Sequence, residues 1–224
     1  MSTSAALTVP DLIAQYGGIA LDKQNDLAAV IGNNDWNADL SEGTLSFGDE
    51  LVFPIQVLGT FSHVSNTFLW GWANVQSDIP ENLLQQALQL KQYGEQHQVA
   101  LFANGQFEAS LNDVHYIGMI ASGMFGSSAY YVADYGQGAL LVTIKSDIID
   151  AARTDTPQRI LTVFPQLVSL FEMNHREAFT SYLKARDFAI TVSGNELSAT
   201  HNNNSIVATF DELNRLASLN GKLS

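Results

Sequence analysis

Hydrophobic positions from Leu12 to Ile31 recur at helical spacing: Leu12, Ile13, Tyr16, Ile19, Ala20, Leu27, Val30 and Ile31. That spacing puts them on one stripe of an amphipathic helix. Thr8-Val-Pro10-Asp11 opens it with Pro and an acid in the first turn. Gly17-Gly18 is its weak point and Gly32-Asn33-Asn34 its end. From Trp36 the period changes to two. Trp36–Leu40 and Thr44–Phe47 flank Ser41-Glu42-Gly43 as a hairpin. Leu51 to Phe61 follows, with Phe53, Ile55, Val57, Gly59 and Phe61 on one face, and a turn through His63–Thr67 leads into Phe68–Val75. Four antiparallel strands are expected here.

Helical spacing returns after Pro80-Glu81 (Leu83, Leu84, Ala87, Leu88, Leu90, Tyr93), and Phe102–Phe107 reads as irregular. Ser110 or Asn112 caps a helix through Val114, Ile117, Met119 and Ile120. Ala129–Ala133 and Ala139–Lys145 form a second hairpin. Thr156-Pro157 starts another helix, which Pro165 is expected to kink or interrupt, and Asn174-x-x-Glu177 restarts it in a manner like a capping box. A β region closes the chain (Phe188–Val192, Glu196–Thr200, Ser205–Phe210), with Asp211–Leu219 open between strand and helix. The fold class is α+β: an antiparallel meander and hairpins packed against several helices. The domain reading is an α+β domain over 1–150 and C-terminal helices plus a β hairpin over 151–224, separate or packed on the first as one unit.

Asp35–Ser46 can be laid over Asp187–Ser198, each beginning at Asp-aromatic and entering a hairpin. Turn residues recur for physical reasons, so coincidence is the preferred account. Equal hairpin registers are what a repeat requires.

Composition narrows the function. The chain is 46% hydrophobic and has no Cys, so it is neither disordered nor able to use a disulfide, a thiol nucleophile or a Cys-held metal. Its formal net charge is −13. Residues 1–144 hold 14 Asp and Glu against Lys23 and Lys91, a net −12, whereas residues 145–224 hold nine acids against eight Lys and Arg, a net −1. So acidic a surface disfavours nucleic acid and anionic membranes, and it attracts a cation or a basic protein. Met1–Ala6 lacks the basic and apolar regions of a signal peptide, so a cytoplasmic location is expected.

The candidate site is aromatic. If Phe68–Val75 is a strand, Phe68, Trp70, Trp72 and Asn74 share one face and Leu69, Gly71 and Ala73 the other. Trp70, Trp72 and Asn74, with Gln56 and Thr60 as further polar contacts, are the expected binding residues. Against that use, packing in the core, with each indole N–H given to a carbonyl, is the preferred role for both indoles. The stretch Gly59-Thr-Phe-Ser62 followed by Trp70-Gly-Trp72-Ala-Asn74 resembles a bacterial family of unknown function marked by Gly-Thr-x-Ser and then Trp-x-Trp-Ala-Asn. Lys23-Gln24, Trp36, Leu45-x-Phe47, Pro80 and Tyr93-Gly94-Glu95 fit the same pattern, while Phe68 stands where that family has a third Trp and Gly71 where it has Ala. The resemblance spans about residues 20–145 and implies a shared fold without an established activity.

Catalytic templates find little. His63, His97, His115, His175 and His201 show no metal-ligand spacing, the acidic loops lack the EF-hand pattern, and there is no Gly-x-Ser-x-Gly elbow. No catalytic residue, metal or cofactor is expected. The reading is a non-catalytic binding protein, in one version an immunity-like protein that captures a basic partner. The alternative is a small-molecule-binding protein or enzyme with a pocket behind the Trp70/Trp72 strand.

Overall fold

The N-terminal hydrophobic stripe forms one unbroken helix, α1 (Val9–Ile31). The computed structural model describes residues 7–154 and 156–222. The chain divides into two compact units: residues 24–152 with 7–9, and residues 10–23 with 153–224. Helix α1 therefore supplies residues 10–23 to the second unit, and Val9 with residues 24–31 to the first.

The first unit is built on a seven-stranded antiparallel sheet ordered β1 (Trp36–Asp39), β2 (Thr44–Phe47), β3 (Leu51–Ser62), β4 (Thr67–Trp70), β5 (Gln106–Glu108). Strand β7 (Gly138–Ile144) pairs with β3, and β6 (Ala129–Asp134) with β7. The long β3 serves three neighbours: residues 51–54 pair with β2, 59–62 with β4, and 55–62 with β7. One face is closed by Leu27 of α1 together with Phe53, Ile55, Val57, Val142 and Ile144. Burying each such side chain stabilises the fold by about 1.5–3 kcal/mol.

Two expectations for this sheet are corrected. The register of β3 against β7 shifts between Val57 and Gly59. This bulge adds a residue and reverses the alternation. Phe53, Ile55 and Val57 stay on one face, whereas Gly59 and Phe61 turn to the other, beside Trp70 and Phe68, their partners in β4. Gly59 is required there, because a Cβ would lie 2.4 Å from the Leu69 carbonyl oxygen and 2.6 Å from the Phe68 ring. The second correction concerns β4, which ends at Trp70. Gly71–Ala73 form a single 3-10 turn, closed by Asn74 N–H donating to the Gly71 carbonyl, so Trp72 and Asn74 leave the pleat.

Helix α2 (Gln85–His97) packs on β3 and α4 (Leu111–Met124) on β6 and β7. Ser110 caps α4: its hydroxyl accepts from the Asp113 N–H while the Asp113 carboxylate accepts from the Ser110 N–H. The segment expected to be irregular forms α3 (Ala100–Ala103) and β5, and a short α5 (Asp147–Ala151) not expected from the pattern follows β7.

The second unit packs α6 (Pro157–Leu170), α7 (His175–Ala185) and residues 10–23 of α1 with a four-stranded antiparallel sheet ordered β11 (Leu216–Lys222), β10 (Asn204–Phe210), β9 (Glu196–His201), β8 (Ala189–Ser193). Its core includes Leu12, Ile13, Phe164, Leu167, Phe179, Tyr182, Leu197, Ile206 and Phe210. The glycine pair expected to weaken α1 serves close approach instead: a Cβ on Gly18 would stand 2.6 Å from the Tyr182 ring, and one on Gly17 3.1 Å from Leu167. Helix α6 runs through Pro165 without interruption. Asn174 caps α7, its side chain accepting from the Glu177 N–H. The open Asp211–Leu219 segment resolves into a turn and β11.

The proposed repeat fails its register condition. Trp36 pairs with Phe47 across a four-residue connection, Leu40–Gly43. In the second hairpin Ala189 pairs with Thr200 across only Gly194-Asn195.

Candidate binding surface

The Trp-rich segment divides between core and periphery. Trp70 is fully buried, set edge-on to Phe68 and Phe102, and its indole N–H donates to the Leu101 carbonyl at 3.0 Å. Every polar capacity of that ring is used inside the protein. Trp72 is half-buried on the 3-10 turn. The Lys91 ammonium stands 4.4 Å from its ring centroid, within cation–π range. The Trp72 N–H is buried and has no acceptor among the described residues. Asn74 sits at the end of this turn.

Gln56 and Thr60 are drawn away from the indoles. Thr60 pairs with Leu140 on the face opposite Trp70. Gln56 joins a polar cluster under α2: its amide N–H donates to the Asn82 carbonyl at 2.9 Å, and its oxygen accepts from the Gln86 backbone N–H at 3.3 Å. That N–H lies in the first turn of α2, where no intrahelical acceptor exists, so β3 caps a helix from outside. The Thr143 hydroxyl donates to the Gln86 side-chain oxygen at 2.7 Å. Gln56, Gln86, Ser127, Thr143 and Lys145 line a cleft of about 150 Å³. The expected site residues thus occupy three places: the core (Trp70), the turn (Trp72, Asn74) and the two faces of the central strand (Gln56, Thr60).

A larger cleft, about 500 Å³, lies where the β3–β4 turn meets β5 and the start of α4. It is lined by Ser65, Asn66, Glu108, Ala109, Ser110 and Asp113, with two carboxylates and no basic group. Glu108 is exposed, and the Asp113 carboxylate is engaged by the Ser110 hydroxyl and N–H, each at 2.7 Å.

Charge follows the division into units. Residues 24–152 carry 14 Asp and Glu and two Lys, a net −12. Both lysines are engaged. Lys91 lies over Trp72 with Glu95 at 3.9 Å, and Lys145 reaches Asp150 at 2.7 Å and the Gly126 carbonyl at 3.3 Å. Residues 10–23 with 153–224 carry nine acids and eight basic residues, a net −1. Asp35, Glu42, Asp49 and Glu50 add an exposed acidic rim around the β1–β2–β3 turns. Asp39 is held in place by the Ser41 hydroxyl and by the Glu42 and Ser41 N–H groups, which together keep its carboxyl below the ordinary range.

The histidines are scattered. His63 Nε2 lies 2.9 Å from Asp134 Oδ2, and the Asp134 carboxyl is held low first by the Gly136 N–H and then by His63. His115 Nδ1 lies 3.0 Å from the Tyr130 hydroxyl. Burial lowers the His115 pKa and raises that of Tyr130. No group of three or more His, Asp or Glu suited to a metal occurs among the described residues. None of the described helices is long and apolar enough to cross a membrane.

Sequence reasoning missed one buried ionic group altogether. Asp22, 1% exposed, accepts from Arg159 Nε at 2.8 Å and from the Tyr182 hydroxyl at 3.0 Å, with Arg186 Nη1 at 3.4 Å. Burial and the Asp22 charge both push the Tyr182 pKa upward. Partners 137 and 160 residues away leave no local signal. At helical spacing Asp22 falls outside the apolar stripe of α1, so the sequence carried no sign of it.

Fold and surface together define an acidic α+β protein with an antiparallel seven-stranded sheet at the centre of its first unit. The match to known families covers residues 10–146 and is to DUF6882, a family of unknown function; the chain belongs to that family. No curated protein and no solved structure matches it.

Proposed function

We propose that this is a non-catalytic binding protein whose first unit captures a basic protein partner. The observation that carries the reading is the net −12 of residues 24–152, in which both lysines are already engaged by Trp72, Glu95, Asp150 and the Gly126 carbonyl. A surface of one sign raises the local concentration of the opposite charge and speeds encounter. An immunity-like role is one form this takes. The 500 Å³ cleft is where a Lys or Arg side chain of the partner would be received, because Glu108 and Asp113 face no cation there.

A small-molecule site is the second reading, favoured by the Gln56–Gln86–Thr143 cleft. At about 150 Å³ it is smaller than the roughly 300–1,000 Å³ that ligand pockets occupy, which places it behind protein binding. Affinity capture from the source cell discriminates the two readings, with wild type compared to a variant combining D35N, E42Q, D49N, E50Q and E108Q. A basic protein retained by wild type, released by salt and not retained by the variant supports the proposal. Equal retention by both chains, or retention of no basic protein, overturns it.

A further inference from the structure

An edge strand exposes a row of unpaired N–H and C=O groups, and proteins ordinarily blunt such edges with charge, shortness, bulges or a covering group. Four of the five edge strands among the described residues do so. β1 has four residues and carries Asp39, and β5 has three and carries Glu108. β6 ends in Asp134, and its Tyr130 carbonyl accepts from the Gln24 amide at 2.9 Å. β11 carries Lys222 and is bulged against β10. β8 has none of these devices. Its five residues, Ala189-Ile-Thr-Val-Ser193, are uncharged, contain neither Pro nor Gly, and keep a regular register with β9.

A second observation gives the edge an occupant. Val192 pairs with the fully buried Leu197, so it belongs to the apolar face of the sheet, yet it is 55% exposed. Ile190, on the same face, is half-buried. We propose that β8 is the seam of a homodimer, formed by antiparallel β8–β8 pairing about a two-fold axis through Thr191. In that register Ile190 of one copy faces Val192 of the other at both ends, and the two Thr191 side chains meet on the polar face. The apolar face then continues unbroken across the seam, which is the self-complementarity a two-fold interface requires. Charge permits the same partner: this unit is nearly neutral at −1, whereas an approach through the first unit would oppose two surfaces of −12. A five-residue seam is short, so the dimer is reversible and forms at high protein concentration.

Sedimentation equilibrium of the full chain, from micromolar to near-millimolar concentration, tests this. The wild type is expected to rise from 24.4 kDa towards twice that mass. V192K is expected to remain monomeric, while V64K, altered at an exposed position of the first unit, associates like wild type. A wild type that stays monomeric throughout, or a V192K chain that associates equally, overturns the proposal. Should V192K lose its circular-dichroism spectrum, amide exchange in the wild type decides: protection of 189–193 that rises with concentration supports the seam, and unchanged protection overturns it. Salt does not weaken this dimer, whereas it weakens capture of a basic partner, so each proposal fails separately.

Discussion

Trp70 and Trp72 are two residues apart and chemically identical, yet they do different things. Trp70 is fully enclosed and hydrogen-bonded to Leu101; Trp72 is half-buried with an unanswered N–H and a lysine on its face. Replacing Trp70 with Phe leaves a cavity and a buried carbonyl without its donor, costing about 2–4 kcal/mol. The same change at Trp72 removes a donor that has no acceptor, and costs less than about 1.5 kcal/mol. Urea denaturation of the two variants gives the comparison, and equal losses would contradict these assignments. His115 makes a pH prediction at the same scale. Burial lowers its pKa in the fold, so the unfolded chain takes up the proton first as pH falls. Its contribution is fully present above the ordinary value of 6.5 and is lost as pH drops towards the folded value. Burial lowers His175 in the same way, partly offset by Asp211. Melting temperature should therefore decline below about pH 6.5, and H115Q should reduce the slope without abolishing it.

Elements were legible where their cause is local. The helix starts at Pro10-Asp11 and Thr156-Pro157, the caps at Ser110 and Asn174, and most of the strands are written in residues a few positions apart. What was not legible depends on partners far along the chain. The β3 bulge reverses Gly59 and Phe61 because β7, some 80 residues on, sets the register. Trp72 leaves the strand because the chain turns beyond Trp70, although its Phe-Leu-Trp-Gly-Trp alternation reads as a continuous strand. Gly17-Gly18 read as a helix breaker because propensity is a local quantity, whereas the Tyr182 and Leu167 side chains that need the space belong to α7 and α6. The expected site was dispersed for the same reason: its face assignment assumed one uninterrupted pleat. Asp22 ties α1 to α6 and α7, and D22N removes the carboxylate that Arg159 and Arg186 share. A cost of about 3–5 kcal/mol is expected, as for breaking a buried ion pair. A loss under 1 kcal/mol in chemical denaturation would show the network to be dispensable.

At the scale of the whole molecule, the dominant feature is how charge is apportioned. The sequence already showed the imbalance between residues 1–144 and 145–224, and the structure turns it into a property of two units. One is nearly neutral, and its sheet has β8 as an unguarded edge. The other is strongly acidic, and its lysines are held by its own side chains. Family membership covers residues 10–146, a span that takes in nearly all of the acidic unit. The proposed capture of a basic partner is therefore expected to depend on that unit and to weaken with salt as the Debye length shortens.

The most direct measurement is an NMR titration of the isotopically labelled full chain with a Lys/Arg-rich peptide at low and at physiological salt. The account predicts saturable amide shifts centred on Ser65, Asn66, Glu108 and Asp113, reduced by salt and by E108Q, with residues 189–222 unmoved. Shifts spread evenly over both units, or a response indifferent to salt and to E108Q, would contradict it.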